Sequence, residues 1–189
     1  MPRAFAALTA LLLFFAAGNA FSQEKPVAVS LPEAGAVAHK LLEPGADTPG
    51  FVLKDVVGTP FDFGAEKARS PVLLVFFSIF CEPCRRGLAA AQRLQDRFGN
   101  TGLRVAAVAL DGEPFRSSVL GFAQQERYGF RVLMDETDAQ GRLRVADLFG
   151  VAEIPMTFLV EKGGQIVLAR KGSILEGEIE KFLAKAKKP

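Results

Sequence analysis

Cys81 and Cys84 stand as Cys81-Glu82-Pro83-Cys84, and no other cysteine occurs in the 189 residues. This spacing suits dithiol–disulfide exchange if a helix starts at the pair. A thiolate there faces unpaired backbone N–H groups and the positive end of the helix dipole. A second thiol one turn on can resolve a mixed disulfide. Two other chemistries use the same spacing. Structural zinc needs four ligands, and the one histidine, His39, lies in an upstream segment, so no metal is expected. A structural staple fits poorly, because closing so short a loop removes little chain entropy. No cofactor is called for, since the sulfur pair itself carries the electrons.

The surrounding pattern supplies the helix. Val72 to Phe77 is an unbroken apolar run, as in a central strand buried on both faces. Pro83 occupies a first-turn position, where its missing N–H costs nothing. From Arg85 to Phe98 the spacing is helical, with Leu88, Ala91, Leu94 and Phe98 on one face. Leu103 to Leu110 is a second apolar strand, so strand, helix and strand form a parallel βαβ unit. A helix from Phe115 to near Tyr128, a strand Phe130–Met134 and a short helix Arg142–Phe149 follow. Met156–Val160 and Ile166–Arg170 flank a tight turn, and a helix closes the chain from Ile174. Ahead of the unit, Phe51-Val52-Leu53 and Phe61-Asp62-Phe63 flank a turn and read as a hairpin. The predicted fold is α/β, a mixed sheet with helices on both faces. The dithiol lies at the C-terminal end of a central strand, where open α/β sheets place their sites.

Arg3 is the only charged residue among the first twenty, leaving 22 basic against 21 acidic side chains. Such balance gives no nucleic-acid signal. Ala4 to Ala17 is almost wholly apolar, and Gly18-Asn19-Ala20 offers the small residues a signal peptidase needs. Residues 1–20 are therefore expected to be an export signal cleaved after Ala20. Uncleaved, the run 4–21 would be a membrane tether, although it is short for a span. Residues 21–44 read as a linker and 45–189 as the folded domain. Either fate places the dithiol outside the cytoplasm, in an oxidising compartment.

Two motifs carry a family resemblance. Phe76 through Arg86 resembles the active-site segment of thioredoxin-like proteins. Gly150-Val151-Ala152-Glu153-Ile154-Pro155-Met156-Thr157-Phe158 resembles their second signature, a cis-proline facing the dithiol. The opening Glu43-Pro44-Gly45, the run Phe51 to Asp55 and the helix–strand segment around 113–134 are similar to the extracytoplasmic TlpA/ResA branch. The resemblance spans roughly residues 43–188. It implies a thioredoxin-like fold with an N-terminal hairpin and a central helix–strand insertion. It implies Cys81 as nucleophile and Cys84 as resolving thiol. Pro155 would be the cis-proline, with Phe80, Pro83, Ile154 and Pro155 against the substrate. The Glu-Pro dipeptide is similar to that of ResA-type reductants of cytochrome c maturation. This implies disulfides of exported proteins such as apocytochrome c as substrates, and a membrane thiol donor of the CcdA/DsbD type. The chain departs from the thioredoxin pattern at Phe80, usually Trp, and at Val75, where thioredoxin itself has an acid.

Glu82 has its own physical reading. A carboxylate beside Cys81 disfavours the thiolate, which makes the couple more reducing. It also suits a proton shuttle to Cys84, or simply an exposed acid welcomed by the helix dipole. Alternatives remain at this level. A peroxiredoxin-like peroxidase would use Ser78 and Cys81 but needs Pro where Leu74 stands. A copper chaperone of the Sco type needs wider cysteine spacing and a downstream histidine. A redox-inactive binding module would not need the intact pair. An exported oxidant usually carries a histidine between the cysteines.

Overall fold

The computed structural model describes residues 40–186. The expected export signal or tether at 1–20, the linker up to residue 39 and His39 lie outside the described residues. Where the described chain begins, the Leu42 N–H donates to Phe149 O at 3.1 Å.

Strands β1 (Val52–Lys54) and β2 (Pro60–Asp62) pair as an antiparallel hairpin. Helix α1 (Phe63–Arg69), β3 (Val72–Phe77) and α2 (Glu82–Phe98) follow. Next come β4 (Arg104–Ala109), a 3-10 turn Glu113–Phe115, α3 (Arg116–Gln125) and β5 (Arg131–Met134). The described chain closes with α4 (Arg144–Leu148), β6 (Met156–Val160), β7 (Ile166–Lys171) and α5 (Glu176–Ala186).

The main sheet has the order β5-β4-β3-β6-β7. β3, β4 and β5 run parallel and β6 and β7 antiparallel, as expected of a mixed sheet. β3 sits at its centre with every residue buried. Its odd-numbered side chains, Leu73, Val75 and Phe77, enter a core with Cys84, Leu88, Ala91 and Leu94 of α2 and Ile179 of α5. Its even-numbered side chains pack with Phe51, Phe63, Phe149 and Phe158 on the other face. Each sheet edge is met near one point by an earlier segment of the chain, which shortens its unpaired stretch. The Val56 N–H donates to Val132 O on β5, and Gly45 N–H to Ile166 O on β7.

The sequence reading takes Phe61–Phe63 as a strand and leaves 64–69 unassigned. Instead, Asp62 ends β2 and caps α1, its Oδ1 accepting from Ala65 N–H at 3.0 Å. An Asp N-cap outweighs the strand tendency of the following Phe63. Among the described residues no helix is long and apolar enough to cross a membrane.

Candidate functional site

The loop between β3 and α2 is tied down before it reaches the cysteines. Asp111, just beyond β4, is its anchor. The Ser78 hydroxyl donates to Asp111 Oδ1 at 2.7 Å, and the Ile79 N–H faces both carboxylate oxygens at 3.2 and 3.3 Å. Phe80 N–H returns to Ser78 Oγ at 3.1 Å. Cys81 then occupies the N-cap of α2, and its Sγ accepts from Cys84 N–H at 3.2 Å. An N-cap sulfur takes over a role usually filled by a side-chain oxygen, so a thiolate formed there meets a ready donor.

The two sulfurs are bonded at 2.05 Å. Cys81 is half-buried and Cys84 fully buried. This asymmetry suits an exposed nucleophile with a protected resolving thiol. Glu82 is the first residue of α2, exposed and ion-paired with Arg86 at 3.3 Å. Arg85 reaches Glu126 at 3.2 Å and lies over the Phe122 ring.

Beside Cys81 lies an aromatic pair. Phe80 is 71% exposed and meets Phe115, 41% exposed, edge-to-face with ring centroids 5.2 Å apart. Phe115 ends the 3-10 turn before α3. Arg116 grips Glu113 through both carboxylate oxygens at 2.6 and 2.7 Å and donates to Asp55 O at 2.7 Å. The guanidinium holds the Glu113 carboxyl below its ordinary range.

The Ile154–Pro155 bond is cis. Ile154 is half-buried and borders a cleft of about 360 Å³ lined by Leu110, Arg142, Ala146, Asp147 and Val151. Val75 is buried on β3, opposite Thr157 of β6. The depth at which thioredoxin carries its acid is therefore apolar on the β3 side. Asp111, Phe115 and Thr157 escape sequence reasoning, because each joins the site through a contact or strand pairing between distant segments.

Residues 44–169 match the AhpC/TSA family. The chain belongs to it. Within this thioredoxin-like family, the thiol-disulfide oxidoreductase ResA of Bacillus subtilis (strain 168) is 30% identical over 139 residues, 74% of this chain and 73% of that protein. ResA of Bacillus thuringiensis subsp. konkukian is 26% identical over 144 residues, 76% of this chain and 79% of that protein. A crystal structure from Chlorobium tepidum, given as a thiol:disulfide interchange protein DsbE, superposes with a TM-score of 0.63 at 27% identity. That match covers 77% of this chain and 97% of the other. With the bonded Cys81–Cys84 pair in place, the family member described here is a thiol-disulfide oxidoreductase of the ResA and DsbE type.

Proposed function

We propose that this oxidoreductase is an exported reductant, acting on disulfides of exported proteins such as apocytochrome c. A membrane thiol donor of the CcdA/DsbD type would return it to the dithiol. The observation that carries the direction is Glu82, a carboxylate adjoining Cys81 at the first residue of α2. Its charge opposes the Cys81 thiolate, disfavours the reduced form and lowers the potential. Arg86 tempers this from one turn along the helix. The sequence 1–20 supports export, and the likeness to ResA supports the substrate class.

In the forward cycle the Cys81 thiolate attacks one sulfur of a substrate disulfide, and the other leaves as a thiolate. Phe80, Pro83, Ile154 and Pro155 line the docking surface, joined by Phe115. Cys84 thiolate then attacks Cys81 Sγ, forming the protein disulfide and freeing the second substrate thiolate. Two electrons pass to the substrate, and protons come from water or through Glu82. Equilibration with glutathione tests the direction. A potential well below that of the glutathione couple is expected, and one near about −120 mV, that of a strong oxidant, overturns the reductant reading. Cys84→Ser should hold substrates on Cys81, identified by mass spectrometry of the trapped mixed disulfides. If no exported protein accumulates on the variant, the substrate class is wrong.

A further inference from the structure

Four polar or charged side chains are buried among the described residues: Thr48, Asp55, Asp135 and Thr157. Thr48 donates to Gly164 O, Asp55 accepts from Val57 and Thr59 N–H, and Asp135 accepts from three N–H groups. Thr157, 1% exposed, differs: its Oγ1 has no hydrogen-bond partner in the disulfide state. Burying an unpaired hydroxyl is costly. An isosteric valine would avoid that cost, so the hydroxyl calls for a partner in another state of the protein.

The strand register places it. Thr157 pairs with Val75 across the β3–β6 ladder and with Arg170 across β6–β7. Cross-strand partners share a face of the sheet, and Val75 belongs to the core that holds Cys84. Phe158 and Met156, its chain neighbours, enter the opposite core. The orphan hydroxyl therefore lies in the layer beneath α2, in which Cys84 is fully buried.

We propose that the Thr157 hydroxyl donates a hydrogen bond to Cys84 Sγ whenever the disulfide is open. A donor thiolate attacks Cys81 Sγ, a new S–S bond forms there, and the Cys81–Cys84 bond breaks with its electron pair left on Cys84 Sγ. Thr157 keeps its proton throughout and stabilises that thiolate. In the forward direction the same thiolate attacks Cys81 Sγ in the substrate mixed disulfide. The core around Cys84 contributed by β3, β4 and α5 is otherwise apolar. Charged groups near it are Glu82, Arg85 and Arg86 on its own helix, with Glu126 held by Arg85. Arg170, on the strand beside Thr157, turns its guanidinium to Glu178 of α5, with Nε at 3.1 Å. The inference concerns the cycling of the pair and holds whichever direction the enzyme works in.

Ellman's reagent tests it on the full reduced protein. Cys81 releases the first thionitrobenzoate, and Cys84 releases the second by attacking the mixed disulfide. In Thr157→Val the first phase should be unchanged. The second should slow about three- to tenfold at neutral pH, as a higher thiol pKa lowers the thiolate fraction while raising its nucleophilicity. The midpoint of its pH profile should move up. Thr157→Ala, a second variant without the hydroxyl, should behave alike, and Thr157→Ser, which keeps the donor, should restore the wild-type profile. Second phases in Val and Ala variants that superpose on wild type overturn the inference. So does equal slowing in the Ser variant, because that would be a packing effect.

Discussion

Asp111 carries no redox chemistry, yet it decides where Cys81 stands. Its carboxylate gathers a hydroxyl and a backbone N–H from the loop that leads into the nucleophile. Deleting it strands half-buried donors, at about 1–3 kcal/mol. It also frees a loop whose position sets the angle of attack, and small misplacements cost about a hundredfold in rate. Asp111→Ala should therefore lower kcat/KM for a protein disulfide at least tenfold, with Asp111→Asn between it and wild type. Stopped-flow turnover checks this, and unchanged kcat/KM in the Ala variant would mean the loop is held elsewhere. In the sequence, Asp111-Gly112-Glu113-Pro114 reads only as a helix start, and a 3-10 turn does begin at Glu113. The bond back to Ser78 spans 33 residues, and nothing local announces it. Cys81, Glu82 and Cys84 are legible because their chemistry is written within one helical turn. Thr157 is illegible for the opposite reason, since its unpaired state exists only once β6 lies beside β3.

At the scale of elements, the long amphipathic and apolar stretches are plain in the sequence. The short capped ones are not, because a cap competes with strand propensity over only a few residues. α1, capped by Asp62, is such a case. α4, by contrast, falls within the expected short helix Arg142–Phe149, and Asp135 just past β5 holds it in place. That carboxylate accepts from Val145 and Ala146 N–H at 2.9 and 2.8 Å, the first turns of α4, and from Glu136 N–H. Burial pushes its pKa up, more than the three N–H donors pull it down. A carboxyl whose folded pKa is raised favours the fold while it is protonated, and that advantage is lost as pH rises through the folded pKa. Asp135→Asn abolishes the titration but surrenders acceptor capacity for the α4 donors. The stability of wild type relative to this variant should therefore decline from the acid side of the carboxylate range toward neutral pH. Urea unfolding at a series of pH values measures it, and a difference that grows with pH would reverse the assignment. Gly150, beyond α4, has φ of +66°, and a Cβ there would meet the backbone of Lys40 and Leu41. That close approach seats the start of the described chain against the α4 end of the molecule.

For the whole molecule, redox direction and stability are two sides of one cycle. The potential of the folded pair differs from that of the same pair in the unfolded chain by the effect of the disulfide on folding. About 30 mV corresponds to about 1.4 kcal/mol for this two-electron couple. A strong oxidant is one whose fold prefers the dithiol. Here the groups that would stabilise a dithiol are opposed. Cys84 N–H serves Cys81 Sγ, but Glu82 sets a negative charge beside it and Arg86 is shared with that carboxylate. Cys84 sits in a core that is apolar apart from the Thr157 hydroxyl, and one neutral donor only partly offsets the cost of burying a thiolate there. The oxidised protein should accordingly be the more stable form. Denaturant unfolding of one preparation, oxidised and then fully reduced, should show a lower unfolding free energy after reduction. The difference should match that predicted from the glutathione potential of the folded and the urea-unfolded chain. A reduced protein more stable than the oxidised one would require a fold that favours the dithiol. It would then fix the enzyme as an oxidant, whatever substrates the Cys84→Ser variant collects.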